Sequence, residues 1–148
     1  MPLRNRVEVI HGVNLDQLGR RDPAHYGGVT FDRLELTIGD MAGELDLVVR
    51  FFQTNHEGEL VEHLHRLQEL ADAILINPGA WTHYSYAMRD ALEIAALPTV
   101  EIHLSDVEHR ESFRRISVIR DLCVATVSGR GVEGYRDALT RLKEELGA

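Results

Sequence analysis

The sequence is poor in the residues and patterns that mark several large classes of protein. It has one cysteine, Cys123, set in an apolar run, so a disulfide framework within the chain is impossible and a buried thiol is the expected reading. The start of the chain, Met1 to Arg6, lacks the apolar core of a secretory signal. No apolar run approaches the length that crosses a bilayer. Basic stripes are missing, and the net charge of -8 argues against a nucleic-acid partner. No Cys/His cluster has zinc spacing: the chain has eight histidines, but His63 and His65 stand two apart on a helical stretch and face different ways. Ser128-Gly129-Arg130-Gly131 precedes a helix yet lacks both the dinucleotide fingerprint and the Walker lysine. A cytoplasmic enzyme or binding domain is the expectation that remains.

What is present is an ordinary globular composition, 44% hydrophobic and 27% charged over 148 residues, suited to a single domain spanning 1–148. Short β-branched or apolar runs alternate with segments of helical period. Val7–Ile10, Leu47–Phe52, Ile74–Ile76, Pro98–His103 and Leu122–Val127 read as strands. Between them run the stripes Phe31/Leu34/Ile38/Met41/Leu45, Leu60/Leu64/Leu67 and Ala87/Met88/Ala91/Leu92, with Tyr135/Leu139/Leu142/Leu146 at the end. Thr30 and Thr82 are candidate N-caps. This alternation predicts an α/β fold, a five-stranded parallel sheet with helices on both faces. The leading topology is the flavodoxin-like order 2-1-3-4-5, whose switch point lies between strands one and three.

That topology gathers polar residues from three strand ends: Asn14 after the first, Asn77 with His83 after the third, and Glu101, His103 and Ser105 at the fourth. Glu101 and His103 are two apart on a strand and share a face, where a carboxylate can orient a histidine for acid–base work; an ordinary, partly exposed strand has the same spacing. Leu15 to Gly28 lacks a sustained period, is long for a connection, and is a candidate lid. It carries Arg21 and Tyr26. A tyrosine is a poor base, with an ordinary pKa of about 10, but a neighbouring guanidinium favours the phenolate. A solvated loop anchored by its tyrosine is the plainer alternative.

Several motifs in one order resemble the type II 3-dehydroquinate dehydratases. They are Asn14-Leu15 through Arg20-Arg21 to Tyr26-Gly27, Thr54-Asn55-His56-Glu57-Gly58-Glu59, Ile76-Asn77-Pro78-Gly79-Ala80 with Thr82-His83 and Arg89-Asp90-Ala91, Glu101-Ile102-His103-Leu104-Ser105, and Arg110-Glu111-Ser112-Phe113-Arg114. The resemblance runs nearly end to end. It implies the flavodoxin-like fold and dehydration of 3-dehydroquinate to 3-dehydroshikimate, without metal or organic cofactor, a step shared by the shikimate pathway and quinate breakdown. It further implies Tyr26 as base, Arg21 as its electrostatic partner, Asn14 as holder of a water at the enolate oxygen, and His103, oriented by Glu101, as acid. Asn77 with the backbone of Leu104 and Ser105 would bind the substrate carboxylate, and His83, Arg114 and Asp90 the ring hydroxyls, Asp90 from a neighbouring subunit. Arg110 matches a further arginine near the site. The implied partners are an anionic small molecule and further copies of the chain, as trimers assembled into a dodecamer.

The chain departs from the family pattern at His11-Gly12-Val13-Asn14, where Asn-Gly-Pro-Asn is usual. It also departs at Asp106, Glu108, Ile116 and Arg130, and carries bulky Tyr84 and Tyr86 beside His83. These departures motivate two alternatives: a relative acting on another cyclic hydroxy acid, and a non-catalytic binding module.

Overall fold

The computed structural model describes residues 3–147. Five parallel strands, β1 (Arg6–His11), β2 (Val48–Gln53), β3 (Ala73–Asn77), β4 (Thr99–His103) and β5 (Ala125–Ser128), form one sheet in the order β2-β1-β3-β4-β5. Chain order reverses between β1 and β3, and the carboxyl edge at such a switch point is where open α/β sheets bind ligands.

Alternation along the strands sorts their side chains between two cores. Val7, Val9, Leu75, Val100 and Ile102 face helices α2 (Phe31–Glu44) and α5 (Glu133–Leu146), meeting Leu34 and Ile38 from one and Leu139 and Leu142 from the other. Ile10, Ile74 and Ile76 face α3 (Glu57–His65) and α4 (Tyr86–Ala95), where they meet Leu60, Leu64, Met88 and Leu92. The helical stripes therefore land on opposite faces of the sheet, as their periods predict. Thr30 caps α2 as expected, accepting from Arg33 N–H at 3.3 Å.

Three local expectations are corrected. Thr82 does not cap α4: a 3-10 turn spans Gly79–His83, and the Ser85 hydroxyl accepts from Met88 N–H at 3.1 Å instead. The fifth strand begins at Ala125, because Arg120–Leu122 forms a further 3-10 turn. The stretch after β1 is not a structureless loop. It folds as a 3-10 segment (Leu15–Arg20) and the short helix α1 (Pro23–Tyr26), with Leu15 and Leu18 buried in the core. Those two leucines are too few and too close for a period, which is why the segment looked irregular.

A charged group lies in the apolar layer away from the strand ends. Glu8 of β1 is buried, bonded by Arg50 Nε at 3.0 Å and His63 Nε2 at 2.6 Å. Burial pushes its carboxyl up, but the bonds from His63 and Arg50 outweigh burial and hold it below the ordinary carboxylate value.

Candidate active site

The ends of β1 and β3 are pressed together. Gly12 N–H donates to the Asn77 carbonyl at 2.7 Å, and a Cβ on Gly12 would lie 2.4 Å from the Pro78 carbonyl oxygen. Only a residue without a side chain fits there. Past this contact Asn14 takes a left-handed conformation (φ 69°), its amide donating to Asn55 Oδ1 at 2.8 Å. The motif around Asn55, prominent in the sequence but without a role there, thus fixes the turn that carries Asn14.

A cleft opens above these strand ends. Asn14, Arg21, Tyr26, Asn77, His83, His103, Leu104, Ser105, Arg110 and Arg114 all line it, joined by Val13, Leu15, Gly79, Ala80 and Val107. Nearly every residue singled out from the sequence is brought to this one place. Two are not. Glu101 is wholly buried behind His103, and Asp90 is exposed on α4, outside the cleft of its own chain.

The phenol of Tyr26 is held by two guanidinium groups. Arg21 Nη2 donates to its oxygen at 2.7 Å and Arg110 Nη1 at 2.8 Å, with the Arg21 guanidinium carbon 4.4 Å from the ring centroid. Two guanidinium donors thus converge on one oxygen. Arg110 also donates to Ser105 Oγ at 3.3 Å, while its buried Nε has no hydrogen-bond acceptor among the described residues. Sequence reasoning placed Arg110 near the site but missed its contact with Tyr26.

Across the cleft His103 Nε2 lies 2.6 Å from Glu101 Oε2. Burial pushes the Glu101 carboxyl up, yet the His103 bond and charge, with the hydroxyls of Thr82 and Ser117, outweigh it and hold the group below the ordinary carboxylate value. An anionic Glu101 must accept, so Nε2 carries the proton and Nδ1 is the nitrogen available for chemistry. His83 is fixed similarly: Nδ1 donates to the Ile116 carbonyl at 2.7 Å, and burial lowers its pKa, keeping it a neutral acceptor at Nε2. Asn77 is buried, and its Oδ1 accepts from Gly79 N–H at 3.0 Å. The carbonyls of Leu104 and Ser105 accept from Gly131 at 3.3 Å and Gly129 at 3.1 Å, pinning the end of β4.

Most departures from the family pattern lie off the cleft. His11 is buried on the α2 side, against Phe31 (4.9 Å between centroids) and 3.2 Å from Glu35 Oε2. Tyr84, Tyr86 and the Ile116 side chain are exposed, Arg130 pairs with Asp137, and Asp106 pairs with His109. Val13 alone among them lines the cleft. Among the described residues, no group of three His, Cys, Asp or Glu side chains is arranged to hold a metal ion.

Comparison with known proteins gives one answer. The family model described as dehydroquinase class II matches residues 5–143. A 3-dehydroquinate dehydratase of Pelobacter propionicus is 46% identical over 144 residues, covering 97% of both chains. One from Thermotoga petrophila is 48% identical over 141 residues, covering 95% of this chain and 96% of its own. The crystal structure of a type II dehydroquinase from Propionibacterium acnes superposes with a TM-score of 0.90 at 35% identity, covering 97% of this chain and 99% of that one.

Proposed function

The chain belongs to the class II dehydroquinase family, and from that premise we propose how its residues divide the work of the reaction. It is a lyase that removes water from 3-dehydroquinate, giving 3-dehydroshikimate. The paired guanidiniums on Tyr26, facing the His103–Glu101 pair across one cleft, carry this reading.

Tyr26, as phenolate, takes a proton from the carbon next to the substrate ketone. Arg21 and Arg110 hold the charge on its oxygen before transfer and face the enolate that forms. A water held by Asn14 hydrogen-bonds the enolate oxygen. The electrons then return to form the new double bond, the adjacent hydroxyl departs, and His103 Nδ1 gives it a proton, so that water leaves. The buried carboxylate of Glu101 stabilises the imidazolium that precedes this transfer.

The substrate is an anion, while the protein carries a net charge of -8; Arg21, Arg110 and Arg114 supply the local positive field. Asn77 and the backbone of Leu104 and Ser105 take its carboxylate, and neutral His83 with Arg114 its hydroxyls. Asp90 completes the hydroxyl contacts from a neighbouring copy, a role that fits its exposed position on α4. We therefore place the enzyme in a homo-oligomer, trimers assembled into a dodecamer, and in the cytoplasm, with residues 1–148 as one catalytic domain. The reading of a different cyclic hydroxy acid keeps only one of its two motives, the altered first turn, whose Val13 lines the cleft; Tyr84 and Tyr86 are exposed and do not line it.

The test is direct. Purified protein mixed with 3-dehydroquinate should develop the ultraviolet absorbance of the conjugated enone, and Tyr26→Phe should not. A folded wild-type protein that produces no absorbance refutes the reading.

A further inference from the structure

Glu101 receives three donors, and His103 is only one of them. Thr82 Oγ1 lies 2.5 Å from Oε2, the same oxygen that His103 approaches, and Ser117 Oγ lies 2.7 Å from Oε1. The two hydroxyls are 3.2 Å apart. A carboxylate has no proton to give, so each hydroxyl must spend its single proton on Glu101. The Ser117 oxygen in turn accepts from Ile119 N–H at 3.3 Å. Neither hydroxyl lines the cleft, so neither meets substrate directly.

We infer that Thr82 and Ser117 are positioning residues for the dehydration, acting through Glu101 to set the tautomer and aim of His103. This rests on the acid role proposed for His103. A wholly buried carboxyl prefers its neutral form. A neutral Glu101 would offer a proton to Nε2 instead of accepting one, and could not stabilise the imidazolium, protonated on both nitrogens, from which Nδ1 donates to the departing hydroxyl. Hydroxyl donors on both oxygens remove that option and leave one acceptor direction open towards His103. Thr82 suits the task because its β-branched side chain is stiff at χ1, and because Ser85 relieves it of capping α4.

The backbone around these hydroxyls is tied as well. Val118 N–H donates to the Thr82 carbonyl at 2.7 Å, and His83 Nδ1 to that of Ile116 at 2.7 Å. Ser117 follows Arg110 and Arg114 on one connecting segment. The segment that brings the arginines therefore also brings the hydroxyl that completes the acid.

Thr82→Val keeps the side-chain shape and removes the hydroxyl; Ser117→Ala does so at a half-buried, more forgiving position. Each should lower kcat about tenfold with KM within about twofold, and Thr82→Ser should restore most of the loss. In a Glu101→Gln background, Thr82→Val should cost nothing further, since its acceptor partner has already lost its charge. Histidine nitrogen NMR gives a readout independent of turnover: His103 should be protonated at Nε2 in the wild type and become mixed in the Thr82→Val/Ser117→Ala protein. An unchanged His103 signal, or an equal loss of kcat in both backgrounds, overturns the inference. A wild type with the Nε2 tautomer but no turnover of 3-dehydroquinate refutes the assigned reaction and leaves the positioning role supported by the spectrum.

Discussion

The guanidinium of Arg110 donates to the phenol oxygen of Tyr26 at 2.8 Å, across 84 residues of sequence. Arg21, five residues from Tyr26, meets the same oxygen at 2.7 Å. One cation is local and the other arrives only when β4 and the segment after it have docked. The proposed base is therefore assembled by folding. Tyr26→Phe should lower kcat by at least about 10²-fold, the scale of general-base catalysis, with KM little changed. Arg110→Lys should lose about tenfold or more, because one ammonium cannot reproduce a fork that spans Tyr26 and Ser105. Steady-state kinetics check both, and wild-type rates in Arg110→Lys would make the guanidinium fork dispensable.

Glu8 gives the fold a pH dependence with a defined sign. Its folded-state pKa lies below the ordinary value of 4.5, so its contribution is present above pH 4.5 and is lost as pH falls through the lower, folded value. Glu8→Gln should cost about 1–3 kcal/mol at pH 7, the scale of hydrogen bonds to a charged group. The gap from wild type should narrow below pH 4.5. Urea unfolding at pH 7 and pH 3.5 measures both, and a gap that widens on acidification would contradict the assignment.

Gly12→Ala should be among the most damaging small substitutions in the chain. Its Cβ would press on the backbone of Pro78 from 2.4 Å, and backbone yields less readily than a side chain. Loss of about 1–3 kcal/mol is expected, with a rise in KM because Asn14 and Asn77 flank the contact. Thermal unfolding and substrate titration would test the pair of effects; an unaltered melting temperature would mean that the strand ends part freely.

Cys123 should be inert in the native protein. Burial pushes its thiol up to about 12, helped by the Glu101 charge, and only the thiolate reacts. A chromogenic disulfide reagent at pH 8 should label the protein slowly when native and fully in denaturant. Rapid native labelling would show that the segment around Cys123 opens readily.

The periodicity of the chain pointed to the parallel sheet and made one strand order the leading one. Apolar runs alternating with stripes such as Leu34/Ile38/Met41 leave few ways to bury both faces, and the right-handed crossover rule selects among them. The predicted order 2-1-3-4-5 is the one observed. Cap assignment was less secure. Thr82 and Ser85 are both good N-cap residues, and only the 3-10 turn Gly79–His83 decides that Ser85 takes the cap.

The sequence by itself also placed the chain in its family and pointed to the residues of the cleft, because residue identity and spacing along strands are local properties. The second arginine on Tyr26, the hydroxyls of Thr82 and Ser117 on Glu101, and the support of Asn14 by Asn55 were decided by the tertiary structure alone. Each joins segments far apart in the chain through one directional bond of about 3 Å or less. Such a bond leaves no period in the sequence, and it exists only where packing has brought donor and acceptor into line.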